Sequence, residues 1–115
     1  MIESMKTVGI VVAAAFCVAL SGMSAAENAE RLYLEKCATC HAADGSGHTV
    51  AASKMAVPDF RSKRVRQTSD EDLYAATAQG KGHTSYPHAF LHKGLTEQQI
   101  HDLVKYIRTF VASQN

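Results

Sequence analysis

The sequence predicts one small all-α domain, and three observations predict it. The closing segment sets Ile100, Leu103, Val104, Ile107 and Val111 at the 3.6-residue period of an amphipathic helix. Two capping signatures mark helix starts: Thr68-Ser69-Asp70-Glu71, and Thr96 with Gln99 three residues on. No stretch of useful length alternates with the period of two that a half-buried strand needs, and no internal repeat is evident. At 115 residues the chain has room for a single domain. Its net charge of +1 offers nothing to a nucleic acid beyond the short basic run Arg61, Lys63, Arg64 and Arg66.

Residues 1–26 read as a signal peptide and 27–115 as the domain. Lys6 supplies the positive start, and Val8 to Leu20 is an apolar run too short to span a bilayer comfortably. Ser24 and Ala26 are the small residues that precede a cleavage point after Ala26. The expectation is export to the periplasm with no stable membrane insertion afterwards; an uncleaved anchor is the alternative. Cleavage there removes Cys17, Met1, Met5 and Met23, leaving Cys37 and Cys40 as the domain's cysteines and Met55 as its methionine.

The first helix is expected over Ala29–Thr39, with Leu32, Tyr33 and Cys37 on one face. It runs into Cys37-Ala38-Thr39-Cys40-His41, and two cysteines so spaced with a following histidine are the attachment signature of c-type haem. On a helix end the two cysteines stand about one turn apart on the same face, so both sulfurs can reach one porphyrin. His41 follows directly, so its imidazole can meet the iron from the tethered side. A redox dithiol would ordinarily accompany a βαβ pattern, and a zinc site would need a second cysteine pair; the chain has neither. A covalently held, largely apolar porphyrin also supplies a centre for a core that so short a domain lacks.

Ala42 to His48 reads as a turn-rich loop, and Val57-Pro58-Asp59-Phe60 as extended chain, because Pro58 removes a donor and restricts Val57. The basic run reads as solvated surface, or as a patch for an acidic redox partner or for haem propionates. A second helix starts near Thr68 or Ser69, buries Leu73, Ala76 and Thr77, and stops at Gly80. Gly80 to Gly94 is then irregular, carrying Gly82, Pro87 and three histidines, and loops of such length in a small domain are usually functional. The last helix opens at Thr96. Ala29 is small enough for it to cross the first helix closely, with Tyr33 and Tyr106 in aromatic contact.

Leu32-Tyr33, Cys37-Ala38-Thr39-Cys40-His41, Asp44-Gly45-Ser46-Gly47, Pro58-Asp59-Phe60, Gly80-Lys81-Gly82 and the closing run from Leu95 to Arg108 together resemble class I mono-haem cytochrome c. The resemblance implies a small cytochrome c fold, with N- and C-terminal helices crossing around one covalent haem c. It implies that Cys37 and Cys40 hold the haem and that His41 is the proximal iron ligand. It also implies that the Pro58 carbonyl accepts a hydrogen bond from the other His41 nitrogen, fixing the ring as metal-bound histidines require. Ala29 and Ala42 stand where the family often has Gly. The serious departure lies opposite His41: the family's sixth ligand is usually the Met of a Met-Pro pair, and here the corresponding pair is Tyr86-Pro87.

Met55 stands three residues before Pro58, on the His41 side, and reads as packing rather than as a ligand. On the far loop His88 leads as candidate sixth ligand, two residues from the missing Met. His83 follows, because Gly82 lets the chain turn inward, and Tyr86 itself is a third donor beside the haem. A vacant position is the remaining choice. His48, His92 and His101 are expected to be exposed. The function implied is a soluble, monomeric one-electron carrier, not an enzyme, meeting other redox proteins transiently. Loss of the Met predicts a lower potential. The alternatives are a small-ligand-binding haem protein, either gas sensor or weak peroxidase, and an accessory cytochrome subunit of a larger oxidoreductase.

Overall fold

A computed structural model describes residues 9–17, 21–83 and 89–113, and among these the regular structure is entirely helical, with no strand. Five α-helices follow one another: α1 Ala25–Lys36, α2 Ala38–His41, α3 Lys63–Gln67, α4 Asp70–Gln79 and α5 Glu97–Ala112. Short 3₁₀ turns lie at Ala52–Lys54 and Phe90–Lys93.

Local chemistry explains each start. Ser24 Oγ accepts from the Glu27 amide at 3.2 Å, and the Glu27 carboxylate accepts from the Ser24 amide at 2.8 Å. That reciprocal cap starts α1 earlier than the expected Ala29. The helix also does not run on to Thr39: Cys37, at φ −119°, interrupts it, and α2 is a separate turn ended by Ala42 at φ 65°. The basic run, expected as plain surface, forms α3, because Ser62 Oγ accepts from the Val65 amide and Val65 is buried while its charged neighbours stay exposed.

Helix α4 begins one residue later than the Thr68-Glu71 pairing predicts. Thr68 Oγ1 is committed to the Arg64 carbonyl at 2.9 Å, so Ser69 caps instead, accepting from the Asp72 amide at 3.1 Å. Gly80, left-handed at φ 73°, stops the helix as expected. The expected stripe of Leu73, Ala76 and Thr77 is only half-buried, and Ala78 is the α4 residue fully enclosed. In the Gly80–Gly94 segment, Phe90–Lys93 departs from the irregular expectation by turning once and burying Phe90.

Thr96 and Gln99 form the expected capping box on α5, and Ile100, Leu103, Val104 and Ile107 are buried. The fifth buried position is Phe110, not Val111, which is half-buried. The reason lies in the Asp44–Gly47 loop: a Cβ on Gly45 would stand 2.7 Å from Phe110 Cδ2, so only glycine lets that ring in. Where α5 crosses α1, Tyr33 is fully buried, with ring centroids 5.2 Å from Tyr106 and 5.1 Å from Phe110. Ala29 is buried at the same crossing face. Arg108 ties α5 to the α3–α4 corner, donating to the Val65 carbonyl at 2.7 Å, to the Asp70 carboxylate at 2.9 Å and to the Thr68 carbonyl.

Ile10, Val11, Val12 and Phe16 are all exposed, outside this core, and no helix among the described residues is long and apolar enough to cross a membrane.

Gly45→Ala tests the Phe110 seat. The substitution adds both a clash and a side chain at φ +75°, so a loss of about 1–3 kcal/mol is expected, read as a lower urea midpoint of the holoprotein. An unchanged midpoint would mean that the close approach does not govern packing at the end of α5.

Candidate functional site

The site begins with one helical turn. In α2 the His41 amide donates to the Cys37 carbonyl at 2.9 Å, and the Cys40 amide to the same carbonyl at 3.2 Å. Cys37, Cys40 and His41 are thereby held on a single tight turn. Both cysteines are half-buried free thiols. Burial pushes the Cys37 thiol up to about 11, helped by Cys40 and opposed by Lys36, so it stays protonated at neutral pH. A redox dithiol needs the opposite shift, toward a thiolate.

His41 is 5% exposed and stacks on Phe60, with ring centroids 4.2 Å apart and planes 13° from parallel. Burial lowers its pKa to about 4; the charge of His83 acts in the same direction, and the backbone carbonyl of Pro58 acts against both as a hydrogen-bond acceptor. At neutral pH the imidazole is therefore uncharged, the form that binds a metal. Two free thiols and a neutral imidazole on one turn fit the donor set of a covalently attached haem. Among the described residues no group of three His, Cys, Asp or Glu side chains converges as a directly bound ion site.

Three segments hold this turn in place. The Tyr33 hydroxyl donates to the Ala42 carbonyl at 2.7 Å, tying α1 to the end of α2. The Gly47 amide donates to the His41 carbonyl at 2.9 Å, and the Thr49 hydroxyl to the Cys40 carbonyl at 2.9 Å. The Phe60 amide donates to the Gly45 carbonyl at 2.8 Å, which brings the Pro58–Phe60 chain alongside His41. Arg61 then forks onto the Asp59 carboxylate, Nε to Oδ1 and Nη2 to Oδ2 both at 3.0 Å. That fork holds the Asp59 carboxyl below the usual carboxylate range.

His83 follows two left-handed glycines, Gly80 and Gly82, and its amide donates to the Gly80 carbonyl at 3.1 Å. It is half-buried, and desolvation lowers its pKa. Tyr86 and His88 lie outside the described residues. Met55 is half-buried at the end of the Ala52–Lys54 turn, on the chain leading to Pro58. His48, His92 and His101 are exposed, and His101 stacks on Tyr74 at 4.4 Å. The Phe60 stack and the Asp59–Arg61 fork escaped the sequence reading. The fork had a local signal, an acid two residues before an arginine; the stack had none.

A family model described as Cytochrome c matches residues 26–110. No curated protein and no solved structure matches the chain.

The Asp59 carboxyl yields a pH prediction. Its folded pKa lies below its unfolded one, so it contributes stability above the unfolded value of about 3.9 and loses it as pH falls. Arg61→Gln should therefore lower the denaturation midpoint at pH 7, and the gap from wild type should close as pH drops toward 3. A gap independent of pH would assign the loss to something other than the carboxylate.

Proposed function

The chain belongs to the cytochrome c family, and we propose that it is an exported one-electron carrier whose haem is fixed by Cys37, Cys40 and His41. Family membership brings one covalently bound haem c with its iron, and electron transfer as its general chemistry. The haem iron supplies the ferric–ferrous couple when bound. The rest falls to the protein.

Cys37 and Cys40 anchor the porphyrin through thioethers. His41 offers an uncharged imidazole, and the single observation that carries the reading is that this imidazole is buried, neutral and on the same turn as two free thiols. The Pro58 carbonyl orients the ring through its second nitrogen. Phe60 covers one face of the imidazole and keeps water from it. The far side is a non-Met one, because no methionine follows Met55 and Tyr86-Pro87 stands at the family's Met-Pro position. A potential below that of a Met-ligated haem follows.

Residues 1–26 act as the signal and 27–115 as the periplasmic domain. The exposed apolar stretch at Ile10, Val11, Val12 and Phe16, unused by the core, supports a division ahead of α1. Cleavage after Ala26 removes the Ser24 cap, so that the helix of the released domain starts at Glu27. Partners are redox proteins met through a small, transient interface, for which the exposed Lys63, Arg64 and Arg66 of α3 offer an acidic partner positive charge.

The test is covalent attachment. The periplasmic protein should begin after Ala26 and keep its haem through denaturing electrophoresis, whereas Cys37→Ala combined with Cys40→Ala should abolish retained haem. Retention by the double variant, or no retention by wild type, would refute the reading.

A further inference from the structure

Resting on the proposal that Cys37, Cys40 and His41 hold a haem, we infer that His83 is the sixth iron ligand, making the site a bis-histidine one. Three observations about the chain carry this. No thioether is on offer beyond Met55, and Met55 sits on the segment leading to Pro58, the chain that flanks His41. The sixth donor must therefore come from a histidine, from Tyr86 or from another non-thioether side chain, or be missing. Among the described histidines other than His41, His83 is the one that is half-buried rather than exposed, and its Nδ1 has essentially no accessible surface. His48 and His92 are exposed, and His101 is also exposed and stacked on Tyr74.

The backbone explains how the chain turns at His83. Gly80, at φ 73°, ends α4, and Gly82, at φ 82°, makes a second left-handed step. The His83 amide returns to the Gly80 carbonyl at 3.1 Å. The turn fixes the His83 backbone before any ligand is met, which lowers the entropy cost of ligation. A Cβ on Gly82 would meet nothing within 4 Å, so this glycine serves the backbone angle and not a crowded contact.

Two imidazoles keep an iron six-coordinate, and an internal sixth ligand competes with any small molecule for the position. If His83 leaves the position open less than about one tenth of the time, its removal raises apparent CO affinity at least about tenfold. The experiment uses the haem-loaded protein and its His83→Ala, His88→Ala and His92→Ala variants. Its readouts are absorption and EPR spectra, CO binding after reduction, and retained haem on a denaturing gel. Wild type should be low-spin and slow to take CO. His83→Ala should turn high-spin in the ferric state, bind CO at least tenfold more tightly, and return to low-spin on adding imidazole, while the other two variants match wild type. His83→Met serves as a second variant: it should stay low-spin with a raised potential. A high-spin wild type, or a spin change in His88→Ala and not in His83→Ala, would overturn the inference. The gel separates the two levels of argument: a wild type without retained haem refutes the underlying haem assignment, whereas retained haem with an indifferent His83→Ala refutes this ligand alone.

Discussion

Keeping one imidazole neutral inside a very small domain is the constraint on which the rest of this molecule depends. Burial takes the His41 pKa from 6.5 down to about 4, so the ring keeps its lone pair well into the acidic range. Enclosure of that kind cannot come from the four-residue helix that bears it. It comes from two neighbouring segments, the Asp44–Gly47 loop and the Pro58–Phe60 chain, joined by the Gly45–Phe60 hydrogen bond. The ring of Phe60 closes one face. The Asp59–Arg61 fork makes the approach of that chain rigid.

Behind this layer stands an aromatic block shared by α1 and α5. Tyr33 links the two functions of the core. Its ring packs on Tyr106 and Phe110, while its hydroxyl satisfies the carbonyl at the end of the cysteine-bearing turn. Burying so polar a tip is tolerable because it finds that acceptor. The same Phe110 presses on Gly45, so the helix crossing and the loop beside His41 form one continuous packing unit. The site is thus seated on the junction of the chain's first and last helices.

Legibility followed the range of the interaction. Helix α5 could be read because its apolar period and its Thr96–Gln99 cap are local, and the cysteine–histidine motif for the same reason. The choice of Phe110 over Val111 was not readable, since it depends on a glycine in a distant loop. Thr68 and Ser69 are both good caps, and only the carbonyl of Arg64 decides between them. Five residues with a single buried side chain leave no period, so α3 stayed hidden. The stack of Phe60 on His41 is a tertiary fact with no trace in spacing. His83 was visible as a candidate, but its partial burial, against the exposure of His48, His92 and His101, needed coordinates.

Arg108 has a further implication, for the order in which the chain assembles. Its guanidinium fills acceptors at Val65, Thr68 and Asp70, all of them synthesised well before it. Without α5 that corner keeps the Thr68 amide bond to the Val65 carbonyl but lacks the Arg108 bonds to the Thr68 carbonyl and the Asp70 carboxylate. The α3–α4 corner therefore gains its clasp only once α5 has packed against it, which couples a local turn to the last helix of the chain.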